Sequence, residues 1–119
     1  MRAFSYAVAL ALALATPTGA GAQQAGTLAK IAERGEIVMS YRDAAVPFSY
    51  VDGNQQPVGY AHDICLKAIE EIKAELKRPD LKVKFQLVAG SARIPLLLNG
   101  TIDMECGTTT NSAERQKQV

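Results

Sequence analysis

The sequence predicts an α/β fold: a small, mostly parallel sheet with helices on both faces and an inserted hairpin. Three observations carry this. Strand-like and helix-like segments alternate along the chain with short connections. A long segment from Asp63 to about Lys77 has one apolar helical face, with Cys65, Ala68, Ile69, Ile72 and Leu76, and an opposite face carrying Lys67, Glu70, Lys73, Glu75 and Lys77. The Asp52-Gly53-Asn54 turn signal stands between two β-rich runs, Phe48 to Val51 and Pro57 to Tyr60.

The remaining elements follow in order. Thr27 is placed to cap a short helix, Leu28 to Arg34, which Gly35 stops by taking the left-handed cap cheaply. Glu36 to Tyr41 (EIVMSY) is β-rich and is expected to be a central strand. Asp63 is expected to cap the long helix, and Arg78-Pro79-Asp80 to break it. Lys82 to Val88 (KVKFQLV) alternates and reads as a second strand. Ile94, Leu97 and Leu98 have helical spacing, and Asn99-Gly100 ends that helix. Thr101 to Glu105 reads as a short strand. Asn111 with Glu114 three residues later reads as a capping box opening a new helix, with Arg115 one turn in.

Composition fits about one globular domain: 119 residues, 48% hydrophobic and 21% charged. The N-terminus has the pattern of a secretory signal. Arg2 is the positive start, Ala3 to Ala15 is the apolar run, and Ala20-Gly21-Ala22 fits the small-x-small cleavage rule. Residues 1–22 are therefore expected to be a cleaved signal peptide, 23–26 a flexible leader, and 27–119 the folded part, located in the periplasm. The apolar run is short for a membrane span. Arg2 is the one charged residue of 1–22, so 12 of the 13 basic residues remain against 12 acidic ones. A near-neutral chain with no basic block gives no argument for nucleic acid.

Cys65 and Cys106 are the only cysteines. Export permits a disulfide, but the spacing does not choose between a bridge and two buried thiols. Two cysteines and one histidine do not make a metal site, and neither a metal nor a cofactor is expected. His62 reads as a surface residue before a helix cap, and Asp63 and Asp103 as cap and turn carboxylates.

In a parallel sheet, ligands bind outside the carboxyl ends of the strands. Three loops are expected there: Arg42 to Pro47, Ala89 to Arg93, and Gly107 to Arg115. Each contains an arginine. Three guanidinium groups in one cleft repel one another unless an anion with two carboxylates joins them, which points to a dianionic small ligand. Thr108, Thr109 and Thr110 add hydroxyls and backbone N–H groups beside Arg115. No nucleophile with its base stands out, so the pattern suggests holding an anion rather than reacting with one.

The residues also resemble a known family. Gly59-Tyr60-x-x-Asp63-Ile64-Cys65 followed by a helix is similar to the signature of polar amino-acid solute-binding proteins of ABC importers, with Ala61 where many members are acidic. VPFSY at Val46 to Tyr50, RIPLLLNG at Arg93 to Gly100 and ECGTTTNSAERQKQ at Glu105 to Gln118 resemble the glutamate/aspartate-binding branch. The likeness spans about Leu28 to Gln118.

The resemblance implies the first lobe of a periplasmic-binding-protein type II fold. It implies that Arg115 clamps the ligand α-carboxylate, assisted by Thr110, and that Thr108 accepts from the α-ammonium. It gives Arg42 and Arg93 the side-chain carboxylate. Gly90 stands where the branch tends to carry a hydroxyl, so the choice between aspartate and glutamate stays open. The family has two lobes that close on the ligand. This chain stops at Val119, after the first lobe's ligand loop, and is expected to be a fragment without the second lobe.

The function so implied is capture of glutamate or aspartate by a monomeric, non-enzymatic protein for ABC permease subunits. The alternatives are a periplasmic enzyme on the same scaffold, of cyclohexadienyl-dehydratase type, and a sensory ligand-binding domain.

Overall fold

A computed structural model describes residues 26–119 of the chain. The expected signal peptide and all of the leader but Gly26 lie outside the described residues.

Two small sheets form. The first has the order β5-β1-β6, with β1 (Glu36–Tyr41) in the centre, β5 (Lys82–Leu87) on one side and β6 (Met104–Glu105) on the other. Both pairings are parallel. Glu36 to Tyr41 lie opposite Lys82 to Leu87 in unbroken register, and Met39 and Ser40 face Met104 and Glu105. The second sheet is antiparallel: β2 (Ala44–Ala45), β3 (Ser49–Val51) and β4 (Pro57–Val58), inserted after β1. The α/β expectation with an inserted hairpin therefore holds, and β2 is an addition that the sequence did not announce.

The side-chain period of two sends β1 into two cores. Ile37 and Met39 pack with Ile31 of α1 (Thr27–Arg34), Ile69 of α2 (Tyr60–Glu75), Leu81 and Cys106. Val38, between them, faces the other way and packs with Val88 and Ile102, against Leu96 and Leu97 of α3 (Arg93–Leu98). Helices thus cover both faces, as a buried parallel sheet requires. Burying Ile37, Met39 and Ile69 completely contributes about 1.5–3 kcal/mol for each side chain.

Helix ends explain most differences from the expected boundaries. Gly35 is left-handed and its N–H reaches the Ile31 carbonyl at 2.9 Å, ending α1 as expected. The N-cap of α1 is Gly26 rather than Thr27. The second helix begins at Tyr60, three residues before the expected cap Asp63, because backbone carbonyls do the capping. The Pro47 carbonyl accepts from the Tyr60 N–H at 3.0 Å, and the Phe48 carbonyl accepts from the Ala61 N–H at 2.8 Å. Asp63 lies in the first turn, where a carboxylate complements the helix dipole.

That docking requires Gly59, whose φ is 127° and where an added Cβ would stand 2.5 Å from the Phe48 carbonyl oxygen. The glycine of the Gly59-Tyr60 motif therefore has a backbone cause. At the other end, the Arg78 N–H reaches the Lys73 carbonyl and the Lys77 N–H the Ala74 carbonyl, with Lys77 left-handed. This is a Schellman closure built without glycine.

Three further expectations are corrected. The expected strand from Thr101 shortens to Met104–Glu105, because the Asp103 carboxylate, rather than a backbone carbonyl, accepts the Val38 N–H at 2.7 Å. Asp103 also pairs with Arg34 and so ties α1 to β6. No capping box forms at Asn111 and Glu114. Ser112 Oγ instead accepts the Arg115 N–H at 3.3 Å, and only a single 3-10 turn follows, Arg115–Lys117.

His62 is buried, not a surface residue. It falls on the core stripe of α2 and its ring lies 5.2 Å from that of Phe85. Cys65 and Cys106 form a disulfide, which resolves the open choice and joins α2 to the residue following β6.

Candidate functional site

The loops at the carboxyl ends of β1, β5 and β6 meet around Arg42. The first residue past the central strand, Arg42 donates its backbone N–H to the buried Ser49 Oγ at 2.9 Å, which holds the loop's start against β3. Its side chain then runs between the other two loops. An added Cβ on Gly90, after β5, would stand 3.1 Å from Arg42 Nη1. One on Gly107, after β6, would stand 3.0 Å from Arg42 Cγ and 2.6 Å from Glu105 Oε1. Arg42 Nε is buried and has no hydrogen-bond partner in the protein. A buried guanidinium N–H without a partner is costly, and an anionic ligand oxygen is the group that relieves it best.

A cavity of about 440 Å³ lies between α3 and the loop after β6 and shares Glu105 with the surroundings of Arg42. Ile94, Leu97 and Met104 form its apolar wall, and Glu105, Thr109, Thr110 and Arg115 its polar one. Arg115 does not pair with Glu114. Its Nη1 donates to the Thr110 carbonyl at 3.0 Å, folding the side chain back along the threonine run. Thr109 Oγ1 is buried and unpartnered on the same wall. The polar lining also includes the Asp103 carboxylate, beside that of Glu105, and the Asn111 and Gln116 amides. Of these groups, the Arg115 guanidinium and the threonine hydroxyls are the ones suited to holding a small carboxylate.

The expected site residues divide into two groups. Thr110 and Arg115 line the cavity together. Arg42, Arg93 and Thr108 are not among its lining residues. Arg42 touches Gly90 of the loop that leads to Arg93, and Gly107, which precedes Thr108. Arg93 opens α3, half-buried, and makes no side-chain hydrogen bond to another described residue; Thr108 is exposed.

The helix-dipole part of the expected anion site does not survive, since the turn at Arg115 is three residues long. Sequence reasoning missed Ser49, Glu105 and Gly107 as parts of the site. Ser49 lay within the VPFSY motif and Glu105 and Gly107 within the ECGTTTNSAERQKQ motif, but neither motif gave these three residues a role of their own. Among the described residues, no group of three His, Cys, Asp or Glu gathers as metal ligands.

A model of the bacterial extracellular solute-binding proteins, family 3, matches residues 37–119. The chain belongs to this family. Over 95 residues it is 55% identical to the L-glutamate/L-aspartate-binding protein of Pseudomonas aeruginosa, covering 79% of this chain and 32% of that protein. Over 100 residues it is 52% identical to the glutamate/aspartate import solute-binding protein of Salmonella typhimurium, covering 83% of this chain and 33% of that protein. The chain spans about a third of the length of these curated relatives.

Among solved structures, the arginine-bound form of domain 1 from TmArgBP superposes with a TM-score of 0.58 at 27% identity, covering 74% of this chain and 64% of that one. The expected fold class, that of type II periplasmic binding proteins in partial form, therefore holds for this family-3 chain.

Proposed function

We propose that this family-3 chain is the ligand-binding part of the first lobe of an import protein for acidic L-amino acids, glutamate or aspartate. In this reading residues 1–22 are a cleaved signal peptide and 23–26 a leader. Residues 27–119 belong to the first lobe, which works in the periplasm as a monomer and delivers its ligand to ABC permease subunits. The observation that carries the reading is Arg42, threaded between two glycine loops with its Nε buried and unpartnered, at the carboxyl end of the central strand. A cation so placed suits an anionic side chain on the ligand. The identity to two glutamate/aspartate-binding relatives supports it.

The mechanism is reversible capture. Arg115, held by the Thr110 carbonyl, takes the ligand α-carboxylate, with the Thr110 hydroxyl and N–H assisting. Thr108 accepts from the α-ammonium. Arg42 and Arg93 take the side-chain carboxylate by charge-assisted hydrogen bonds. A second lobe then closes over the ligand and excludes water. No residue is assigned a chemical step, and the chain is read as a transport protein rather than an enzyme. Its close relatives are named for binding and import, which disfavours the dehydratase alternative.

Calorimetric titration of the full-length protein with L-glutamate, L-aspartate and L-lysine tests the reading. Saturable binding of the two acids, absence of lysine binding, and loss of acid binding in Arg115→Ala are expected. Equal affinity for lysine, or unchanged affinity in Arg115→Ala, would overturn it.

A further inference from the structure

We infer that Gly90 and Gly107 are positioning residues for Arg42, and that Gly90 sets how far the guanidinium reaches and hence which ligand chain length the site prefers. This rests on the reading of Arg42 as the side-chain clamp.

The glycines of the chain are kept for different reasons. Gly59 is required by its backbone, with φ 127° and a carbonyl 2.5 Å from where a Cβ would be. At Gly53 a Cβ would meet open space. Gly90 and Gly107 fit neither case. Their backbones are outside the left-handed region, so conformation alone does not demand glycine, yet a Cβ on either would press on Arg42.

The contacts fall at different points along the side chain. Gly107 clears first the Glu105 carboxylate, 2.6 Å away at Oε1, and then the Arg42 stem, 3.0 Å away at Cγ. Gly90 clears the tip, 3.1 Å from Nη1 and 3.6 Å from both Cζ and Nη2. The start of the residue is pinned by the Ser49 Oγ, so displacement at the tip cannot be absorbed by shifting the backbone freely. A methyl at Gly90 would move the guanidinium by a few tenths of an ångström. L-Glutamate and L-aspartate differ by one methylene, a difference that depends on where the clamp ends.

The test uses the full-length protein with Gly90→Ala, Gly107→Ala and, as a control, Gly53→Ala. Affinities for L-glutamate and L-aspartate are measured by calorimetry. The Arg42 Nε–H resonance is followed by NMR in ligand-free protein. Gly90→Ala is expected to change the ratio of the two affinities by about fivefold or more at unchanged Tm, and Gly53→Ala to leave it alone. The Arg42 resonance is expected to move in Gly90→Ala and Gly107→Ala but not in Gly53→Ala. A ratio within about twofold of wild type while both acids still bind, or loss of both acids by the folded Gly90→Ala protein, would overturn the chain-length role. An unmoved resonance would overturn the positioning role. Wild-type protein that binds neither acid would instead overturn the function proposed above, and the specificity role with it.

Discussion

The frame of the molecule and the rim above it are satisfied in different ways. In the frame, β1 is buried on both faces by α1 and α2 on one side and α3 on the other, and even its odd ladder position is filled by the Asp103 carboxylate. On the rim, Arg42 Nε and Thr109 Oγ1 are buried without partners, and clearance is kept by glycines. The proposed function therefore assigns stability and recognition to different residues. The frame gains from complete burial and pairing, while in the function proposed here the rim keeps polar groups open for a ligand. Substitutions should separate the two, with frame changes lowering Tm and rim changes lowering affinity at constant Tm.

The largest effect is expected at the join between the two regions. The disulfide links Cys65 of α2 to Cys106, where the frame passes into the rim, across 41 residues. Removing it with Cys65→Ser and Cys106→Ser should cost about 4 kcal/mol of stability by the loop-entropy argument, read by denaturant unfolding under oxidising conditions. An unchanged midpoint would mean that the frame does not need the link.

Next in size is Gly59→Ala, which sets a methyl against the Phe48 carbonyl oxygen and forces a left-handed alanine. A loss of about 3 kcal/mol is expected, measured the same way. A loss under about 1 kcal/mol would show that the hairpin and α2 are not docked through Phe48 as described.

The smallest effect marks the one flaw in the frame. His62 is buried with Nδ1 unpartnered, and burial pushes its pKa below the usual 6.5 against a weaker upward pull from Asp63. The folded state therefore binds fewer protons than the unfolded one as pH falls below 6.5. Stability should be fully present above that pH and decline as pH drops through the lowered folded value. As His62 is the chain's sole histidine, His62→Asn should flatten this part of the profile. A slope that persists in His62→Asn would assign it to other groups.

Legibility in the sequence follows the same division. The strands β1 and β5, the hairpin, and the glycine stop of α1 were legible because local propensity and period decide them. The start of α2 was not, because its cap comes from the Pro47 and Phe48 carbonyls, distant in sequence. The delayed start of β6 was not, because it depends on Asp103 meeting Val38 across the sheet. His62 looked like a surface residue from its neighbours, yet it falls on the buried stripe once the helix begins at Tyr60. At the site, the arginines and threonines were legible as residue types at strand ends. The glycine clearance around Arg42 was not, since it exists only where three loops meet.

The most direct test of the division is Arg42→Ala in the full-length protein, with Tm and the affinity for L-glutamate measured on the same sample. A Tm close to wild type and an affinity lower by about 100-fold or more are expected, as for the loss of a charge-assisted clamp. Unchanged affinity, or a fall in affinity explained by a matching fall in Tm, would contradict the division.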